Sequence, residues 1–81
     1  MEKSFSFSLV SPEKRLASGL ASAVVIPGAE GDFTILKDHA PLLTALRSGK
    51  IRVLDGDHEG EYEVEGGFAE VSAEGLTILT I

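Results

Sequence analysis

The sequence contains no cysteine, which excludes disulfides, thiolate nucleophiles and thiolate metal sites, and fits a reducing compartment. It also lacks any apolar run approaching the roughly 20 residues that a membrane-spanning helix requires. The N-terminus, Met1-Glu2-Lys3-Ser4, holds an acid and no long apolar stretch, so it does not read as a signal peptide. A mature cytoplasmic chain is expected. Lysine and arginine are missing altogether beyond Arg52. Residues 1–52 hold all seven basic residues and five acids, a balance of +2, while residues 53–81 hold eight acids, a balance of -8. The net charge of -6 disfavours binding to a nucleic-acid backbone. The plain reading of the imbalance is a solvated acidic face, and the sharper one an acidic patch for a basic partner. Strand pairing can intermix the two regions.

Helical periodicity is absent as well. Nowhere does an apolar i, i+3, i+4, i+7 pattern persist for three turns. Asp38 to Leu46 has room for one helical turn, which Ala40-Pro41 limits. What the chain has instead is alternation. Ser4-Phe5-Ser6-Phe7-Ser8-Leu9 alternates polar and apolar strictly, the signature of a strand with one buried face. After a turn at Ser11-Pro12-Glu13-Lys14, a second extended stretch is expected to run unbroken from Arg15 to Ile26, with a bulge or a close backbone approach at Gly19. On that reading Leu20, Ser22, Val24 and Ile26 share one face, and Ala21, Ala23 and Val25 the other.

The stretch around which the rest is organised follows. Val24 to Ile26 ends at the turn dipeptide Pro27-Gly28, and Gly31 reopens a strand through Phe33, Thr34 and Ile35. Asp38-His39-Ala40-Pro41 is a polar knot in which the proline pushes Ala40 into an extended conformation. Two loops, residues 29–32 and 37–41, therefore flank one short strand and lie at opposite ends of it unless the chain bends sharply. They carry the polar residues, so function is sought there first.

Farther on, Lys50 to Leu54 alternates again, and Asp55 to Gly60 reads as a polar hairpin loop. Glu61 to Glu65 places Tyr62 and Val64 inward and three glutamates outward. Gly66-Gly67 kinks the chain into Phe68 to Ser72, and Ala73-Glu74-Gly75 makes the last turn. Leu76, Ile78, Leu79 and Ile81 are apolar on both faces, so the final strand is either internal or short of a neighbour. Eight to ten short strands in a single domain, residues 1–81, indicate an antiparallel sandwich or barrel that buries roughly 60% of its unfolded surface. The expected core is Phe5, Phe7, Leu9, Val24, Ile26, Ile35, Ile51, Val53, Tyr62, Val64 and Val71.

Catalytic motifs are hard to find. Ser48-Gly49-Lys50 has the surface form of a phosphate loop, but Thr44 stands where the first glycine is needed and Ile51 where Ser or Thr must reach magnesium. Asp38, His39 and the distant His58 supply too few ligands at binding spacing for zinc. No serine sits in a nucleophile elbow. The chain is expected to be no enzyme, with no catalytic residue, metal or cofactor.

A family pattern is present. Phe7-x-Leu9-Val10-Ser11-Pro12-Glu13, Ser18-Gly19, Pro27-Gly28-x-x-Gly31-Asp32-Phe33, His39-Ala40-Pro41-Leu42-Leu43-Thr44-x-Leu46, Gly49 and Gly66-Gly67-Phe68-x-x-Val71 together resemble the epsilon subunit of F-type ATP synthases. The resemblance covers nearly the whole chain in register. Lys37-Asp38 stands where the family often has Pro-Gly, and Ala21 and Ala23 replace residues commonly larger or charged. The resemblance implies a flattened antiparallel β-sandwich of about ten short strands in the central stalk, between the gamma subunit and the c-ring, helping to couple proton flow to ATP synthesis. It implies a peripheral position on the cytoplasmic face of the bacterial inner membrane. Carried over residue by residue, the loop holding Asp32 contacts the polar loops of the c-ring, and His39 with Leu42, Leu43 and Thr44 lies on the side of gamma and the ring. The expected partner interface is therefore Glu30, Asp32, Asp38, His39, Leu42, Leu43 and Thr44, with His39 structural or interfacial. Glu30, Asp32 and Asp38 are read as one acidic tip suited to a basic loop. The alternative is a standalone β-sandwich interaction module or truncated paralogue outside the synthase.

Family members usually continue into an α-helical hairpin that carries an inhibitory arm and in some members binds ATP, and this sequence stops where that hairpin starts. The expectation is a rotor subunit without an extending arm, with part of Leu76 to Ile81 left open or taken by a partner. Calorimetric titration with ATP is expected to show no binding tighter than about 1 mM, or roughly 4 kcal/mol. Tighter binding would reveal a nucleotide site in the sandwich itself.

Overall fold

A computed structural model describes residues 4–81, and the signal-peptide reading of Met1-Glu2-Lys3 lies outside the described residues. Alternating residues become strands throughout. The nine strands are β1 (Phe5–Val10), β2 (Arg15–Ala21), β3 (Ala23–Gly28), β4 (Gly31–Leu36), β5 (Leu42–Leu46), β6 (Gly49–Asp55), β7 (His58–Val64), β8 (Gly67–Ser72) and β9 (Gly75–Thr80). No helix occurs among the described residues. The described residues thus form nine strands where about ten were expected, and residues 37–41 form a turn and an unpaired connection, as the proline at 41, with no N–H for a ladder, allows.

Hydrogen bonding runs along one curled sheet in the order β2-β1-β9-β8-β5-β3-β6-β7, with β4 on the other edge of β3. The step from β5 to β3 is a single register pair, Gly28 opposite Leu46. The sheet thus folds into two layers, β2-β1-β9-β8-β5 over β4-β3-β6-β7. Most pairs are antiparallel, but β1 and β9 run parallel, with Phe7 opposite Leu76 and Leu9 opposite Ile78. The final strand is therefore internal, held by β1 on one side and β8 on the other.

Period-two alternation sends one set of side chains between the layers. Phe7, Leu9, Leu46, Ala69, Val71, Leu76 and Ile78 of one layer join Val24, Ile26, Ile35, Ile51, Val53 and Val64 of the other in one buried cluster. Each large aliphatic in it contributes about 1.5–3 kcal/mol over an exposed position. Nine of the expected core residues are buried, while Phe5 and Tyr62 pack against the cluster half-buried. Ala21, Leu46, Ala69, Leu76 and Ile78 complete it.

The stretch from Arg15 to Ile26 is two strands, not one. Ser22 is a corner where the chain crosses from the first layer to the second. Its N–H and Oγ–H both donate to the Leu54 carbonyl, at 2.7 and 3.0 Å. The extra residue shifts the alternation, so Ala21 and Val24 are both buried although an odd number of steps separates them. Leu20 is consequently left outside. The bulge lies between Leu9 and Val10, not at Gly19. The loop expected at Asp55 to Gly60 shrinks to Gly56-Asp57, because Asp55 pairs with His58 and the ladder continues to Gly49 opposite Val64.

Two backbone positions are decided by handedness. Gly67 has φ +130, and a Cβ there would overlap the Leu79 carbonyl oxygen across the β8–β9 ladder. Asp38 has φ +66 and is the one non-glycine residue with positive φ among the described residues. It sits in the turn closed by the His39 N–H donating to the Leu36 carbonyl at 3.2 Å. Glycine substitutions at the two sites thus have opposite signs. Asp38→Gly is expected to raise stability by up to about 1 kcal/mol by relieving the left-handed strain. Gly67→Ala is expected to cost more than about 3 kcal/mol, since a ladder carbonyl must move. Urea unfolding of both variants checks this; a lower midpoint for Asp38→Gly would contradict it.

Candidate functional site

The residues expected at an interface fall in three places. The first is the β3–β4 hairpin, whose turn, Ala29-Glu30, is exposed. Gly28 is required there, because a Cβ would lie 2.7 Å from the Gly31 carbonyl oxygen and 2.8 Å from the Phe33 ring. The end of β5 is tied to this hairpin. The Arg47 N–H donates to the Pro27 carbonyl and the Ala29 N–H to the Ala45 carbonyl, both at 2.9 Å. The Arg47 Nε–H donates to the Gly28 carbonyl at 3.2 Å, and the guanidinium pairs with Asp32. The pair is half-exposed, with 51% and 60% of the two side chains accessible, so it contributes less than about 1 kcal/mol. Its effect is orientation: Asp32 is held beside a cation, while Glu30 has no ion-pair partner among the described residues.

The second place is the far end of β4. Six consecutive register pairs join β3 to β4 from Ala23–Leu36 to Gly28–Gly31, with no shift of register. At about 3.3 Å per residue the ends stand roughly 20 Å apart. The expected acidic tip is thus divided, with Glu30 and Asp32 at one end and Asp38 at the other. His39 is exposed, and its Nδ1–H donates to the Ala40 carbonyl at 2.8 Å. An open cleft of about 560 Å³ beside it is lined by Phe5, Leu20, Lys37, His39, Ser72 and Glu74 among others. Among the described residues no buried polar side-chain atom lacks a partner, and no group of three His, Asp or Glu side chains is placed to hold a metal ion.

The third place is the outer face of the five-stranded layer. Along β5 the pattern is half-buried, exposed, half-buried, exposed, buried. Leu42 packs against the core and Thr44 is half-buried, so of the three expected β5 residues only Leu43, 68% accessible, is fully presented. Its neighbours were not among the expected interface residues. Ala45 pairs with Phe68, Phe68 with Leu79, and Leu79 with Val10, which makes an apolar row across four strands. The adjacent row is Leu43, Glu70, Thr77 and Ser8. Phe68 is 54% and Leu79 44% accessible. Leu43, Phe68, Glu70, Thr77 and Leu79 line a shallow groove of about 390 Å³. The sequence signal was the apolarity of Leu76 to Ile81 on both faces, which matches an inward row of Leu76 and Ile78 and an outward Leu79.

Charge is distributed differently from its order in the chain. The basic residues of β6 meet the acids of β7: Arg52 with Glu59 at 2.6 Å and Glu61 at 3.8 Å, and Lys50 with Glu61 at 3.9 Å. The hydrogen bond that Arg52 Nε–H donates to the Glu59 carboxylate raises the Arg52 pKa above its usual value. Glu61, Glu63 and Glu65 face solvent. These groups can orient a partner; none forms a nucleophile–base pair.

Comparison with known proteins agrees with this architecture. The family model for the β-sandwich domain of the ATP synthase delta/epsilon chain matches residues 4–81. The ATP synthase epsilon chain of Caulobacter vibrioides is 55% identical over 73 residues, covering 90% of this chain and 85% of that one. That of Chlorobium limicola is 45% identical over 80 residues, covering 98% and 91%. The Maricaulis maris epsilon chain is 53% identical over 73 residues, but this chain spans only 55% of its length. Among solved structures, a chain of the Euglena gracilis mitochondrial ATP synthase (OSCP/F1/c-ring) superposes with a TM-score of 0.88 at 25% identity, covering 99% of this chain and 52% of that one. A chain of the Tetrahymena thermophila mitochondrial ATP synthase central stalk and c-ring shares the fold, with a TM-score of 0.78 at 20% identity over 95% of this chain and 63% of that one. A nine-stranded curled sheet, an in-register match over residues 4–81 and relatives at about half identity place this chain in the ATP synthase delta/epsilon family, whose β-sandwich domain it carries.

Proposed function

We propose that the chain is a non-catalytic rotor subunit of a proton-translocating F-type ATP synthase, linking the gamma subunit to the c-ring and helping to couple proton flow to ATP synthesis. It is peripheral, on the cytoplasmic face of the bacterial inner membrane. The observation that carries this reading is the apolar row Ala45, Phe68, Leu79 and Val10, with Leu43 beside it, on a sheet face that no other element among the described residues covers. Clustered apolar side chains on a small soluble domain mark a protein-binding surface. The family supplies the candidate: this face meets gamma. The β3–β4 turn with Glu30 and Asp32 meets the basic or polar loops of the ring, and Asp38 and His39 border the same assembly at the other end of β4.

The geometry suits a transmitting link. The turn that carries Glu30 is fastened to the end of β5 by three hydrogen bonds and the Arg47–Asp32 ion pair, so a force on the turn passes directly into the strand that bears Leu43. Two surfaces, one apolar and one charged, sit on one stiff corner.

Two outcomes test the reading. Leu43→Ser and Phe68→Ser alter exposed side chains, so the fold is expected to persist while affinity for purified gamma falls about tenfold or more in each. Unchanged affinity in both variants would remove the face from the interface. Asp32→Lys is expected to weaken coupling in the reconstituted synthase. The defect should depend on salt, because exposed charges are screened beyond about 8–10 Å. Since this change also places a second cation beside Arg47, Arg47→Gln serves as the control: it breaks the intramolecular pair without reversing the charge at Asp32. Full coupling by Asp32→Lys at low ionic strength would contradict the ring contact.

A further inference from the structure

The groove on the outer face holds one charge. Glu70 lies between Leu43 on β5 and Thr77 on β9 in register, with Phe68 two residues before it on the same face of β8. Leu43, Phe68 and Leu79 surround it, and no basic side chain among the described residues forms an ion pair with it. The basic side chains of β6, which lies in the other layer, are committed to β7, and Arg47 to Asp32. A carboxylate covered by an apolar partner alone would lose its water and gain nothing, a cost of several kcal/mol. A face that is to be buried can therefore keep an acid at its centre only if the occupant brings a donor to it.

We propose that the partner segment seated on this face carries an arginine that pairs with Glu70, and that this pair sets the register and the choice of partner. The inference rests on the reading of the face as the gamma contact and names the chemistry of what gamma must present there. Arginine fits better than lysine for two reasons. Its planar fork can bind both carboxylate oxygens, and its weakly hydrated face stacks on an aromatic ring such as Phe68, two residues away on the same face. The hydrocarbon part of the side chain would lie along the groove between Phe68 and Leu79, so apolar contact and charge are satisfied by one residue. The apolar row supplies adhesion; Glu70 rejects surfaces that lack a matching cation.

The test uses the full chain and purified gamma, titrated by calorimetry at low and high salt. Glu70→Gln keeps the size and hydrogen-bonding capacity of the side chain on an exposed position, so the fold is retained. It is expected to weaken binding about thirtyfold, and Glu70→Lys more. An arginine-to-lysine scan of gamma is expected to find one position whose loss is not additive with Glu70→Gln, the mark of a direct pair. If Glu70→Gln binds as tightly as the wild type while Leu43→Ser and Phe68→Ser weaken binding, the face stands and the arginine is overturned. If Glu70→Gln weakens binding but every arginine substitution is additive with it, the pairing is likewise overturned. If none of the three variants of this chain weakens binding, the reading of the face fails first and takes the inference with it.

Discussion

One register pair, Gly28 opposite Leu46, joins the two layers of the sheet, and much of the molecule follows from it. The strand β3 is paired with β4 along its whole length and with β6 over its first half, and of the three residues left on that edge only the last, Gly28, pairs with β5. A turn of sheet that tight needs a residue without a side chain, and Gly28 is surrounded too closely to accept one. Arg47 then closes the corner from outside by binding both backbone and Asp32. The sandwich core depends on that closure, because Leu46 on one side and Ile26 on the other are both buried next to it. The surface depends on it too, since the same closure points Leu43 and the Glu30 turn outward.

Much of this was legible in the sequence because period two is a strong signal when polar and apolar residues alternate cleanly. Phe7 and Leu9, Ile51 and Val53, and Ala69 and Val71 are buried as their alternation requires. The failures come from residues that change the phase and from pairings set by backbone contacts distant in the chain. Ser22 has no distinctive turn chemistry, yet it is a corner held by the Leu54 carbonyl, a contact 32 residues away in the chain. The polar run Asp55 to Gly60 reads as a loop, but backbone pairing carries the strands through most of it. Parallel pairing of β1 and β9 joins the two ends of the chain and leaves no local mark at all.

The candidate site was legible in a different proportion. The turn residues Glu30 and Asp32 were found because polar residues between two strands draw the eye, but the ion pair to Arg47 was not, since 15 positions separate the partners. Leu43 was found through the family pattern, whereas Phe68 was assigned neither to the core nor to the interface, and Leu79 fell only within the stretch Leu76 to Ile81 expected to be open or partner-covered. An apolar residue opposite in phase to buried neighbours is the available signal, and Phe68 between Gly67 and Ala69 fits that description. Acids and bases segregated along the sequence became neighbours in β6 and β7, where they are partly neutralised. Charge order in a chain and charge layout on a β-surface are separate quantities.

The parallel pairing of the first and last strands also bears on how the molecule comes into being. During synthesis β1 emerges early and finds β2, its hairpin neighbour, within a few residues. Its other edge has no partner until residues 76–79 have left the ribosome. At roughly 5–20 residues per second the nascent chain spends seconds with the middle of one layer open. Long-range pairing of this kind slows folding, because the entropy of closing so long a loop is lost before the contacts reward it. The last strand therefore acts as a wedge driven in at the end: until it is seated there is no finished layer, and once it is seated the outer groove it helps to line exists in the same instant as the core.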